Sequence, residues 1–572
     1  MMQITTLLYS SKLSTFLRSD KHKAFIAVAS HWGIPDVIGI FAVALVLASR
    51  YGVERLHGTS VRFLRLPTWL AFPQLHANSY AIDSAWYLPW TDVAENVFGG
   101  LGVARGGKVY DAVMIIHAPG VLQYLAMFLR LLGFQNAAGS PSTELAAMLT
   151  GTFATLIFQV ACTWFALRLL SVPRFWCAII AVVVCGYTAF FFNFGSPMSE
   201  TLIPYILIFV PLLTFRMLFL MERRDRVASA VILGGPITLA CLSLGLTAGP
   251  ANAWIALVCL AVLVREFALE PKQTVATIVR DRRCWASYFV VLLVMIVHAG
   301  TVELHNAYFW MIDINRNYRI EPWNNISSSF FDHLQNFGGV SNPIGSRYPE
   351  LIVLLVSFSI AMQQSGEQNR RDIWVRLGWF AFVLMIAAIA TQWRFYSGYK
   401  AVTMLGISLG VFLLLLSKVL PPVPRWGRHF FAVLLIMACM QVMFLRAIVS
   451  YDTKGVWRNP AFDLANVCRY GQSENCRCLQ VTVWGPQFYL ENDVIPCRGR
   501  YHCMNPFIGS IPAMRARFIN DTRRNNTAFV LYSDSLMLEN GIPPEAIAYW
   551  RDHGKCTPLN NLSICVSGTN SP

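Results

Sequence analysis

Long apolar runs recur through this chain at lengths set by the thickness of a lipid bilayer, and nothing else in the sequence restricts its fold as tightly. They occupy about 34–49, 146–168, 175–193, 201–221, 228–246, 250–264, 285–303, 350–363, 373–391, 401–417 and 429–447. Most approach the ~20 residues that an α-helix needs to cross a hydrocarbon core. Inside lipid every backbone N–H and C=O must find a partner within the protein, so runs of this kind fold as helices. With 55% hydrophobic and 13% charged residues in 572, the composition argues against a soluble multidomain protein. The expected fold is mainly α, a polytopic membrane helix bundle of about 11–13 spans.

The charges give the expected direction of each crossing. The formal net charge of +15 falls in short clusters beside the apolar runs, not in a nucleic-acid recognition motif, so no nucleic-acid partner is expected. Arg168/Arg174, Arg223/Arg224/Arg226, Lys272/Arg280/Arg282/Arg283, Arg370/Arg371/Arg376 and Lys418/Arg425/Arg428 recur at every second connection, which predicts cytoplasmic loops there. Residues 1–33, with Lys12, Arg18, Lys21 and Lys23, form a predicted cytoplasmic N-terminal segment. The run from Ile34 then acts as an uncleaved anchor, because no small-residue cleavage site follows it. Residues 34–447 constitute the transmembrane domain, with a first outer loop at 51–118 and a second at 304–349. The run 119–133 conflicts with this alternation: it is short and contains Arg130, so either it is re-entrant or a neighbouring crossing is misplaced.

The fourteen cysteines divide evenly. Cys162, Cys177, Cys185, Cys241, Cys259, Cys284 and Cys439 lie in or beside apolar runs, where a free thiol behaves as a small hydrophobe. Cys468, Cys476, Cys478, Cys497, Cys503, Cys556 and Cys565 crowd the polar region after 447, as disulfides in an oxidising compartment would, with one thiol left over. Zinc is the rival reading, but the paired spacing of a zinc ribbon is missing. Residues 448–572 alternate β-like runs, LQVTVW and TAFVLYSD, with helical stretches. A small extracytoplasmic α/β domain is expected there.

Residues suited to chemistry cluster in the predicted outer loops. Asp83 stands beside Trp86 and Tyr87, and Asp111 and His117 border the next apolar run. A carboxylate within reach of an acceptor hydroxyl can act as general base, and aromatic faces suit sugars; a solvated loop with interfacial aromatics is the plainer alternative. Glu200, in the connection NFGSPMSE, either supports such a site or caps the following span. In QWRFYSGYK, Arg394, Tyr396, Tyr399 and Lys400 sit between two spans on the predicted outer side, against the usual charge bias, where cations can hold a lipid-linked phosphate. Arg316 and Arg319 in the long loop 304–349 are further candidates for that role.

Four stretches resemble the GT-C superfamily of membrane glycosyltransferases, in the branch that includes protein O-mannosyltransferases and the lipid A aminoarabinose transferase. IDSAWY with the following FGGLGVARGGKVYD is similar to the family's first-loop pattern. HAPGVLQYLAMFLRLLGF is similar to its H-P-P-G segment, WRFYSGY to its basic-plus-tyrosine loop, and VTVWGPQFYLENDVIPCR to the strand of its outer domain. The resemblance implies transfer of a sugar from a polyprenyl-phosphate donor to a glycan, lipid or protein acceptor. It places the reaction on the extracytoplasmic side of a bacterial inner membrane or its equivalent, with the first-loop acid, Asp83, as base. Ser84 stands where many members carry a second acid; a lone carboxylate is a poor site for a divalent metal, so a metal is the less favoured alternative and no cofactor is expected. A polysaccharide or lipid transporter is the alternative from another class, and a non-catalytic scaffold of a cell-envelope complex a third. A transporter would show intramembrane charges or broken helices in paired halves.

Overall fold

The computed structural model describes residues 33–57, 88–111, 119–133, 141–192, 197–219, 221–244, 249–310, 378–384, 402–424, 478–481, 511–522, 527–531, 533–539, 541–559 and 562–567, with a few single positions between 427 and 440. The described part is mostly helical, and four of its helical stretches are long and apolar enough to cross a membrane: Thr150–Leu169, Thr201–Leu218, Arg223–Leu244 and Arg282–Thr301.

The bundle begins with α1 (Ile34–His57), α2 (Leu88–Ala104), α3 (Gly120–Leu131), α4 (Pro141–Leu169) and α5 (Arg174–Phe192). It continues through α6 (Ser199–Leu207), α7 (Phe209–Phe219), α8 (Arg223–Ile232), a π-helical turn Leu233–Ile237 and α9 (Thr238–Leu244). The next elements are α10 (Gly249–Leu269), α11 (Pro271–Arg280), α12 (Arg282–Thr301), α13 (Leu304–Tyr308) and α14 (Val402–Val419). The apolar run expected at 201–221 is divided: Pro204 and Pro211 flank a break at Ile208, because neither can donate the hydrogen bond that a regular helix needs. The run expected from 228 starts earlier, at Arg223, and opens into the π turn at Gly234-Gly235-Pro236. Thr238 Oγ1 donates to the Leu233 carbonyl there, 3.1 Å away.

Of the connections named above for their basic residues, the described ones, around Arg168/Arg174, Arg223–Arg226 and Lys272–Arg283, come together at one end of this bundle; Arg370, Arg371, Arg376, Arg425 and Arg428 lie outside the described residues. Asp36, near the start of α1, is fully buried beneath the α4–α5 turn. Its Oδ2 accepts from Arg174 at 2.9 Å and from the Gly33 N–H at 3.0 Å, while Oδ1 accepts from Trp164 Nε1 at 3.1 Å and lies 3.5 Å from Arg168 Nε. Arg216 on α7 reaches the Leu169 carbonyl at the same turn. Trp176 Nε1 donates to the Pro421 carbonyl just beyond α14. An ion-pair network follows where α8, α10, α11 and α12 converge. Glu266, 2% exposed, lies between Arg226 and Arg223 at 2.5 and 3.3 Å; Glu270 takes Arg223 at 2.8 Å; Asp281 takes Arg224 and Arg283, each at 2.9 Å; and Asp225 takes Arg283 at 2.7 Å. Asp281 also caps α12, its Oδ1 accepting from the Arg283 N–H.

Within the apolar layer close contact replaces the hydrophobic effect, since lipid tails are as apolar as the side chains they meet. Gly406 and Gly410, four apart on α14, lie against α6 and α7 so closely that a Cβ on Gly406 would meet the Pro204 carbonyl oxygen at 2.7 Å. One on Gly410 would meet Pro211 Cγ at 2.3 Å. This small-x-x-x-small pair is where α14 touches both α6 and α7. Cys177, Cys185, Cys241, Cys259 and Cys284 are buried free thiols in the bundle, and Cys162 is a half-buried one.

The helix α3 accounts for the troublesome run 119–133. Its 12 residues span about 18 Å, well short of the ~30 Å of a hydrocarbon core. Both of its ends are tied to the end of the bundle remote from the basic turns. Near its start Gln123 Nε2 donates to Thr301 Oγ1 at 2.6 Å, at the far end of α12. Near its finish Arg130 donates from Nε and Nη2 to the carbonyls of Ala104 and Val103, at 2.8 and 2.7 Å. The arginine that made a simple crossing implausible therefore donates to carbonyls at the end of α2, sharing the Val103 one with the Gly106 N–H.

After residue 477 the described segments are β1 (Cys478–Val481), α15 (Pro512–Thr522), β2 (Thr527–Leu531), α16 (Asp534–Glu539), α17 (Pro544–His553), β3 (Gly554–Leu559) and β4 (Leu562–Ser567). The strands form one sheet in the order β1-β2-β4-β3, with β1 parallel to β2 and the other pairs antiparallel. Cys556 and Cys565 face each other in the β3–β4 register and are disulfide-bonded.

Candidate functional site

Of the residues that the sequence singles out, the described structure places Asp111 and the backbone of Glu200. Asp83, Trp86, Tyr87, His117, Arg316, Arg319, Arg394, Tyr396, Tyr399 and Lys400 lie outside the described residues. Asp111 and Glu200 both belong to the end of the bundle opposite the basic turns. At Glu200 the helix start is capped by its neighbour: Thr201 Oγ1 accepts from the Met198 N–H at 3.3 Å and donates to the Met198 carbonyl at 2.8 Å.

Asp111 is held by an unusual local backbone. The chain leaves α2 through Gly106, at φ 93°, and then pairs Val109 in parallel with Val302, at the mouth of α12. Val109 N–H donates to the Thr301 carbonyl and Glu303 N–H to the Val109 carbonyl, both at 2.9 Å. The next residue, Tyr110, is left-handed at φ 68° and wholly buried. A side chain at such a φ is strained, so the surrounding contacts must hold it there. Asn306 on α13 supplies one, its Nδ2 donating to the Tyr110 carbonyl at 3.0 Å. Burial drives the Tyr110 hydroxyl pKa well above its ordinary value, so the phenol stays protonated and is no base. Asp111 follows, half-buried, its N–H returning to the Lys108 carbonyl at 3.3 Å. Lys108 and Glu303 add a cross-loop ion pair at 3.6 Å, exposed enough to contribute little.

These contacts join the first loop to the start of the second. The surrounding wall is tight: a Cβ on Gly120 would meet the Ser243 carbonyl oxygen at 2.5 Å, so α3 touches the end of α9. Gly151 brings α4 against Val97 of α2 and against Pro197, which leads to Glu200. Glu95 and Asn96, one turn from Gly100 on α2, are buried at 2% and 3% exposure. Glu95 is not among the candidates that the sequence reading singles out. Its signal was available: a carboxylate and an amide in tandem on a helix that is otherwise apolar from Val93 to Val103. Asp36 was missed for the same reason, as an acid two residues into an apolar run. Among the described residues no three of His, Cys, Asp and Glu gather as a metal-ligand set.

Chemically, this end offers a carboxylate on a fixed turn, a second buried carboxylate on the adjoining helix, and the roots of two long loops anchored together. Comparison with protein-family models, with curated proteins and with solved structures finds no match for this chain.

Proposed function

We propose that the protein is an integral-membrane glycosyltransferase that moves a sugar from a polyprenyl-phosphate donor to an acceptor hydroxyl on the extracytoplasmic side. The observation that carries this reading is the joining of the acid-bearing first loop to the second long loop, through Val109 and Val302, at the end opposite the clustered basic turns. Basic connections mark the cytoplasmic side, so the joined loops face outward, where a lipid-linked sugar and its acceptor can meet. On this reading α3 does not cross the membrane, and 51–118 and 134–145 lie on one side. Residues 448–572 form a separate domain on that same outer side.

In the proposed reaction Asp83 accepts the proton of the acceptor hydroxyl as its oxygen bonds to the anomeric carbon. The bond from that carbon to the phosphate oxygen breaks, and the phosphate leaves with both electrons against Arg394 and Lys400, supported by Tyr396 and Tyr399. Direct displacement inverts the anomeric centre. Asp111, His117, Trp86, Tyr87 and Glu200 line or support the acceptor side, and Arg316 and Arg319 approach from the second loop. Placing the acid and the cations on one face suits charge neutralisation of a leaving phosphate.

Mass spectrometry of lipid co-extracted with the purified protein, followed by a transfer assay with that lipid, tests the reading. Asp83→Asn should retain donor and lose about 10²–10⁴-fold in transfer rate, since the amide cannot take a proton. Transfer at the wild-type rate by Asp83→Asn, with collapse in Asp111→Asn, would move the base to Asp111. Movement of the lipid across a vesicle membrane without sugar transfer would support the transporter instead.

A further inference from the structure

Around α11 the charges sort themselves by pairing. Asp225, Glu266, Glu270 and Asp281 are all ion-paired to Arg223, Arg224, Arg226 and Arg283, four acids against four arginines, so the network cancels its own charge. Thr274, 1% exposed, fastens α11 to α10 by donating to the carbonyls of Glu266 and Glu270. Of the charges left unpaired here, Arg265, Lys272 and Arg280 are exposed and none is ion-paired to a described residue, against one exposed acid, Glu222. At 100° per residue Lys272, Val275, Val279 and Arg280 fall on the side of α11 away from Thr274. Val275 and Val279 are 47% and 53% exposed. Trp285 stands beside them, its Nε1 donating to the Val279 carbonyl at 2.6 Å. The chain then passes directly into α12, a candidate membrane span of which only 11% is buried in the protein.

We propose that this face of α11 lies in the membrane interface and binds anionic lipid headgroups. Val275, Val279 and Trp285 enter the acyl boundary, and Lys272, Arg280 and Arg265 meet the phosphates. Apolar side chains interleaved with cations on a short helix beside a span match the two layers of such a surface, and tryptophan favours that depth. The internal network is part of the device: Glu266 and Asp281 turned outward would offset the cations, but buried against arginine they leave the outer face positive. The inference needs only that α12 spans the membrane and is independent of the transferase reading.

The test reconstitutes the full chain in nanodiscs holding either brominated phosphatidylglycerol in phosphatidylcholine or brominated phosphatidylcholine with unlabelled phosphatidylglycerol. The quenching at Trp285 is taken as the difference between wild type and Trp285→Phe. Stronger quenching by brominated phosphatidylglycerol at equal mole fraction is expected, together with loss of that preference in R265Q/K272Q/R280Q. The association should weaken about fivefold for each cation removed. Lys272→Arg and Arg280→Lys should keep it. Should the triple variant fail to fold, salt decides on wild type, because an electrostatic preference must shrink as the Debye length falls from about 10 Å to about 3 Å. Equal quenching by the two brominated lipids, or a preference that survives in a folded triple variant or at high salt, overturns the proposal.

Discussion

Replacing Asp36 with Asn removes one charge from a buried cluster and leaves its size unchanged. The carboxylate is fully buried, and its cationic partners Arg168 and Arg174 are 12% and 36% exposed. Breaking a fully buried pair costs about 3–5 kcal/mol, mainly because the remaining charge is stranded. Here the stranding is partial: Arg168 keeps the Val172 carbonyl at 2.8 Å, and Arg174 reaches solvent. Asn also keeps an oxygen for Trp164. The expected cost is therefore about 2–3 kcal/mol, at and just below the lower end of that range. It falls on the packing of α1 against the α4–α5 turn. Cys177, buried one turn into α5 with its Sγ 3.5 Å from the Val172 carbonyl, reports on that packing. If opening precedes labelling, its reaction with N-ethylmaleimide should accelerate by about 30–150-fold, at one decade per ~1.4 kcal/mol. Peptide-resolved mass spectrometry separates it from Cys259, buried on α10 away from the cluster, whose rate should hardly change. Arg174→Gln in the Asp36→Asn background should recover part of the loss, because it removes the stranded charge. A change at Cys177 below threefold, or an equal acceleration at Cys259, would refute the idea that Asp36 locks this corner.

At Asp281 burial raises the carboxyl pKa, but the Arg283 side chain, its backbone N–H and the Arg224 guanidinium outweigh that and hold it well below the usual carboxylate range. A depressed acid contributes stability that is complete above its unfolded pKa of about 4 and is lost as pH falls toward the folded value. Detergent-unfolding curves of wild type and Asp281→Asn should therefore differ at neutral pH and converge progressively below about pH 4; a constant gap would show that ionisation is not the cause. Gly410→Ala, whose Cβ would strike Pro211 and the Ile208 carbonyl oxygen, should lower stability by about 1–3 kcal/mol through overpacking. Gly300→Ala, with nothing within 4 Å, should be neutral or mildly stabilising; detergent-unfolding curves check both glycine variants. Arg394→Ala and Lys400→Ala should each weaken donor use by about 1.5–3 kcal/mol per charged hydrogen bond in the transfer assay, with little effect on folding. Unchanged turnover in both would move the phosphate site toward Arg316 and Arg319.

The sequence showed the apolar segments because hydropathy over 18 or more residues is a sum that local detail barely disturbs. Arg168, Arg174, Arg223, Arg224, Arg226 and Arg283 could likewise be grouped from spacing alone, and the structure brings them to one end of the bundle. What stayed hidden depends on pairing across the chain. Arg130 is visible as a charge in an apolar run, but the carbonyls of Val103 and Ala104 that it satisfies lie in another helix. The sequence GISLG reads as an ordinary apolar stretch until Pro204 and Pro211 are laid against Gly406 and Gly410. The left-handed Tyr110 has no local signature, since a tyrosine seldom adopts that conformation and is forced here by Asn306 and the Val109–Val302 pairing. At the candidate site, Asp111 could be named from the sequence but its fixed turn could not. The buried Glu95 carried a signal, its tandem with Asn96 in an apolar helix, that only burial makes plain.

The pairing of Tyr110 with Asn306 also sets a timetable for biogenesis. Its two partners are separated by 196 positions, which a ribosome working at about 5–20 residues per second takes roughly 10–40 s to add. For that interval the segment 105–111 has been made and the edge it joins has not. Its open backbone groups must wait on water or on the insertion machinery, and this corner of the protein is finished only after α12 has been delivered.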